Sequence, residues 1–86
     1  MDNHQEDKHK QITIIVNTRP HKWEKKEISF EEVVALAYND ASDPNLRFAV
    51  DYSRGEDSHK EGTLTAGQSV KVKEGMVFNV FRSNKS

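Results

Sequence analysis

The chain has 86 residues, 34% of them hydrophobic, and 13 Lys and Arg against 14 Asp and Glu leave a net charge of -1. At that length one domain removes only about 60–65% of its unfolded surface from water, which argues against a deep enzyme pocket, and the near-neutral balance supplies no field for drawing in nucleic acid or an anionic membrane. No cysteine is present, so disulfide and thiolate chemistry are excluded; no apolar run approaches the ~20 residues that cross a bilayer, and the start lacks a signal-peptide apolar core, so a soluble, cytoplasmic protein is expected.

Residues 1–11 carry no apolar side chain after Met1 and read as a flexible N-terminal arm that cannot offset its ordering entropy. The β-branched run Ile12-Thr13-Ile14-Ile15-Val16 predicts a strand, which the turn chemistry of Asn17-Thr18-Arg19-Pro20 ends. A second strand over about Lys22 to Ile28 is polar except for Trp23 and Ile28, as suits a sheet edge, and forms a hairpin with the first. Ser29 and Glu32 then have the spacing of a capping box, so a helix starts there. Its stripe of Phe30, Val33, Val34 and Ala37 recurs at helical spacing. Asn39 to Asn45, with Pro44, marks a loop.

From Leu46 to Tyr52 the sequence alternates, with Phe48, Val50 and Tyr52 on one face and Arg47, Ala49 and Asp51 on the other. The segment Ser53 to Gly62 reads as a loop. Thr63-Leu64-Thr65, Ser69-Val70-Lys71-Val72 and Gly75 to Phe81 are short strand signals, with bends at Gly67 and at Glu74-Gly75. The domain thus spans 12–82, and 83–86 form a polar C-terminal tail.

Two strands, a helix and then further strands suit an α+β fold: a β-grasp, with a mixed sheet of four to five strands and one helix on one face. The apolar first and last strands belong side by side in its centre and the charged second strand at an edge. A small SH3-like or OB barrel is the competing architecture, but it has no natural place for a capped helix directly after the first hairpin.

Catalytic constellations are not found. His4, His9, His21 and His59 are scattered without metal-ligand spacing, and Ser53, Ser58 and Ser69 lack a nucleophile motif, so no active site, metal or cofactor is expected. Two surfaces stand out instead. If Ile12, Ile14 and Val16 face the helix, Ile15 points to the open sheet face together with Ala49 and Phe81, a candidate partner-binding patch; the plainer reading is sheet surface that happens to be apolar. The other is the short polar segment Arg82-Ser83-Asn84-Lys85-Ser86, reachable by another macromolecule without unfolding the domain. Lys71 and Lys73, with Lys8, Lys10, Lys22, Lys25 and Lys26 around the hairpin, read as solvated surface diluted by Glu24, Glu27 and Glu74. Trp23 is either an anchor over the sheet edge or a binding hot spot.

The segments Ile12 to Asn17, Ile28 to Ala37 and, most specifically, Gly62 to Val80 resemble the multiubiquitin-domain family of bacterial ubiquitin-like proteins. The resemblance covers about Ile12 to Arg82. It implies a ubiquitin-like protein modifier of a bacterial conjugation-like system, with E1-like and E2-like enzymes, a processing or deconjugating protease and target proteins as partners, no nucleic acid or membrane, and antiphage defence as an associated setting. Family members often carry tandem domains, whereas this sequence has one. The Gly-Gly ending of ubiquitin is replaced by Arg82-Ser83-Asn84-Lys85-Ser86. Trimming of Lys85 and Ser86 would leave Asn84 as the reactive carboxyl end. The alternative function is a non-conjugated β-grasp module that binds a partner through Ile15, Ala49 and Phe81.

Overall fold

In the computed structural model, residues 11–38, 43–55 and 60–84 are described. Their elements run in the order β1 (Ile12–Val16), β2 (Arg19–Trp23), β3 (Glu27–Ser29), α1 (Phe30–Ala37), β4 (Leu46–Ser53), β5 (Gly62–Leu64), β6 (Ser69–Lys71) and β7 (Val77–Asn84). Five strands make one mixed sheet in the order β2-β1-β7-β4-β5, and β3 and β6 form a separate pair. The first and last strands lie parallel and adjacent, with Ile15 opposite Val77 and Val16 opposite Phe78. The arm proposed for 1–11 lies, except for Gln11, outside the described residues, as do His4, His9, Lys8 and Lys10.

The first hairpin turns on Asn17 and Thr18, both in the left-handed region at φ 50° and 71°. Two such residues give the turn whose twist matches that of its flanking strands. The return strand therefore starts at Arg19, opposite Val16, rather than at Lys22. Pro20 falls within β2, where a residue without an N–H is tolerated because the strand is a sheet edge.

The expected single strand Lys22 to Ile28 is two strands. After Trp23 the chain bends, the indole N–H donates to the Glu27 carbonyl at 3.0 Å, and β3 leaves β1 to pair with β6. Trp23 is half-buried against the core, and the Lys25 ammonium lies 5.5 Å from its ring centroid. It anchors this bend.

The capping box forms. Ser29 Oγ accepts the Glu32 N–H at 3.0 Å and Glu32 Oε1 accepts the Ser29 N–H at 2.9 Å. Val33 and Val34 are the buried pair of α1, while Phe30, Leu36 and Ala37 pack more shallowly against the core. That core joins Ile14 and Val16 of β1, Ile28 of β3, Val50 and Tyr52 of β4, Leu64 of β5, and Phe78 and Val80 of β7, with Val72 and Met76 closing it. One sheet face thus meets the helix and the other stays open.

The bends near the C-terminus are tied to the rest of the domain. Gly67 and Gly75 have φ of 84° and 82°, which favours glycine. The Gly67 N–H donates to Glu31 of the helix at 3.0 Å, and the Gly75 N–H donates to the Thr13 carbonyl at 2.7 Å. These contacts deliver β7 into the sheet centre.

Candidate functional site

Strand β7 pairs with β4 along its whole length, from Val77 opposite Ser53 to Asn84 opposite Leu46. The sequence places the end of this strand near Phe81 and assigns Ser83 and Asn84 to a tail. β4 supplies partners as far as Leu46, so both residues belong to the strand. Lys85 and Ser86 lie outside the described residues.

Pleating places Ile15, Val77, Asn79, Phe81, Ser83, Arg47, Ala49 and Asp51 on the open face, opposite the buried Ile14, Phe78, Val80 and Val50. Phe81 and Ala49 are register partners. Phe81 is 55% exposed, the one large hydrophobic so exposed among the described residues. Ile15 is not beside them. It sits in another row, between Pro20 of β2 and Val77 of β7. Four residues of extended chain, about 13 Å, separate the Val77 row from the Phe81 row. Between them run Asn79, Asp51 and Thr63, with the Thr63 hydroxyl donating to Asp51 Oδ1 at 3.2 Å. The open face therefore carries two apolar rows split by a polar one. Alternation could have named Val77, whose parity matches Phe81; the role of Pro20 depends on the hairpin register.

On the helix side, the C-terminal part of β7 is held by side chains. Asn17 Oδ1 accepts the Val80 N–H at 2.8 Å and Asn17 Nδ2 donates to the Val80 carbonyl at 3.3 Å. The amide thus stands in for one more residue of β1, which ends at Val16. Tyr38, just beyond α1, donates its hydroxyl to the same Val80 carbonyl at 3.3 Å. Its ring packs on Phe48 with centroids 5.7 Å apart, and the Arg82 guanidinium lies 4.9 Å above it. Nothing in the sequence pattern marks Asn17 or Tyr38 as belonging to this end of the strand.

A groove of ≈ 350 Å³ between the first hairpin and the end of α1 is lined by Val16, Asn17, Arg19, His21, Leu36 and Ala37. These residues include no carboxylate and no hydroxyl or thiol. No group of three His, Cys, Asp or Glu that could hold a metal occurs among the described residues, and none of their helices is long and apolar enough to cross a membrane. His59 and Ser58 lie outside the described residues. Lys71 and Lys73 are exposed.

A five-stranded mixed sheet with parallel central first and last strands and one capped helix across a face defines a ubiquitin-like β-grasp module, a class that is typically non-enzymatic at this size. The model of the multiubiquitin family matches residues 12–84, and the chain belongs to that family. Searches of curated proteins and of solved structures returned no significant match.

Proposed function

We propose that the protein is a ubiquitin-like modifier whose C-terminal segment is processed and then transferred by E1-like and E2-like enzymes to target proteins. The observation that carries this reading is family membership over 12–84 combined with the course of β7, which brings Arg82, Ser83 and Asn84 out of the sheet centre and past the end of β1. Such chemistry needs a slim, extended carboxyl end. The carboxylate attacks the α-phosphate of ATP and releases pyrophosphate. A cysteine thiolate of the enzyme then displaces AMP to form a thioester, and a target amine displaces that thiol to form an amide. Ser83 and Asn84 are small and exposed enough to be threaded in this way. Removal of Lys85 and Ser86 by the processing protease would make Asn84 the acyl donor.

A second reading rests on Phe81. An exposed aromatic beside a small residue on the open sheet face suits a noncovalent partner, with Ala49 leaving room for an inserted side chain and Ile15 contacting it farther along the face. The two readings differ in what is dispensable. Intact and peptide mass spectrometry of N-terminally tagged protein, coexpressed with the products of its neighbouring genes, tests them against each other. Loss of Lys85-Ser86 with adducts that vanish when the chain is cut back to Arg82 supports the modifier. An unchanged mass and no adducts with active partner enzymes overturns it and leaves the Phe81 face.

A further inference from the structure

We infer that Arg82, Ser83 and Asn84 form a strap, closed onto β4 in the resting protein by Tyr38, which must open before any enzyme can take this segment as an extended chain. The inference deepens the modifier reading and rests on it only for the identity of the enzyme that benefits. An adenylating or proteolytic cleft binds a peptide as a strand with both edges accessible. Here one edge of the segment is committed to β4: Arg82 lies opposite Phe48, Ser83 opposite Arg47 and Asn84 opposite Leu46.

The direction of the backbone hydrogen bonds shows where the ladder ends. The Met76 carbonyl accepts the Ile15 N–H of β1, the Phe78 carbonyl accepts the Asn17 N–H just beyond it, and Val80 turns its N–H and carbonyl to the Asn17 side-chain amide. Alternation then points the backbone groups of Val77, Asn79, Phe81 and Ser83 at β4, so the pair Ser83–Arg47 is the last to exchange ladder bonds. On the rung before it, side chains add to the ladder. Tyr38 contacts three points at once: its hydroxyl meets the Val80 carbonyl, its ring leans on Phe48, and its π-face receives Arg82. Phe48 and Arg82 are register partners, so the tyrosine clamps both sides of one rung. Residues 81–84 are all exposed. A terminal rung so lightly buried opens locally without global unfolding.

Trypsin reads the opening directly, because it cleaves after Arg82 only when the flanking residues lie extended in its own cleft. Tyr38→Leu keeps apolar bulk and removes both the hydroxyl and the π-face. Cleavage of the Arg82–Ser83 bond in the folded protein, followed by mass spectrometry, is expected to accelerate about 5–10-fold in this variant. Tyr38→Phe, which keeps the ring, should show about 2-fold. Equal rates in wild type and Tyr38→Leu would overturn the strap, as would wild-type cleavage as fast as that of an unstructured peptide of the same sequence. If Tyr38→Leu does not fold, Arg82→Gln replaces it, with hydrogen exchange at the Ser83 amide as the readout and the same two outcomes. Neither measurement uses conjugation enzymes. Faster cleavage without adducts from active E1-like and E2-like enzymes therefore keeps the strap and removes the modifier; slow, variant-independent cleavage with adducts does the reverse.

Discussion

The two halves of β7 are one continuous strand with opposite duties. Val77 and Phe78 lie between β1 and β4, Val80 lies between the Asn17 amide and β4, and Phe78 and Val80 are buried beneath the helix, whereas Phe81 to Asn84 have β4 alone as a strand neighbour and are exposed. Ladder pairing is the same in both; what changes is the number of sides from which water is excluded. A strand can thus be core at one end and an accessible handle at the other, with the boundary set by where its second neighbour stops. That neighbour, β1, stops at Val16, and the Asn17 amide carries its pairing one residue farther.

The contrast is sharpest in two phenylalanines three residues apart. Phe78 is fully buried and Phe81 is 55% exposed. Phe78→Ala is expected to cost about 3–5 kcal/mol, a large part of the stability of a domain this size, through lost burial and the cavity left behind. Phe81→Ala should stay within about 0.5 kcal/mol. Urea unfolding of the two variants checks both, and a Phe81→Ala destabilisation comparable to that of Phe78→Ala would erase the boundary. Asn17 tests the boundary itself. Asn17→Ala removes two hydrogen bonds to Val80 and puts a Cβ without a compensating amide at φ 50°, for a loss of about 2–3 kcal/mol. Asn17→Gly, which keeps the turn conformation, should lose about 1 kcal/mol less. Equal losses would mean that turn strain plays no part.

The sequence makes the core half legible and the other half only in outline. The β-branched run of β1, the Ser29/Glu32 box and the alternation through β4 each signal a local geometry that the packing then adopts. The break after Trp23 gave no local sign, because it is made by an indole reaching the Glu27 carbonyl and by β6, which is distant in sequence, taking β3 as its partner. The Asn17 clamp meets a residue 63 positions away, and an Asn before Thr reads only as turn chemistry. Parity put Ile15, Ala49 and Phe81 on one face. Their separation into two rows follows from the β1–β7 register, which alternation does not contain. The end of β7 was hidden for a related reason: Arg82-Ser83-Asn84 lacks strand propensity, and its extended form comes from Arg47 and Leu46 across the ladder.

Smaller effects belong to the helix that spans this boundary, since α1 places Val33 and Val34 over the core and leads to Tyr38 at the strap. Ser29→Ala removes the acceptor for the Glu32 N–H and is expected to cost about 1 kcal/mol by urea unfolding. Because Tyr38, not the cap, touches the strap, trypsin cleavage after Arg82 should change less in this variant than in Tyr38→Leu.

The smallest effect is a pH dependence at the same helix start. The hydrogen bond from Lys25 is the largest influence holding the Glu32 carboxyl below its ordinary value of 4.5; the Ser29 N–H acts in the same sense, and partial burial opposes both. Because the folded state favours the ionised form, the unfolded chain takes up the proton first as pH falls. The stabilisation is therefore complete above about pH 4.5 and is lost as pH drops through the depressed folded value. Lys25 is 67% exposed, which keeps the contribution of the pair below about 1 kcal/mol. Glu32→Gln preserves the reach back to the Ser29 N–H but does not titrate. Its urea midpoint should lie below wild type at pH 7 and approach it at pH 3. A gap that persists at pH 3 would assign the role of Glu32 to its packing and cap geometry rather than to its charge.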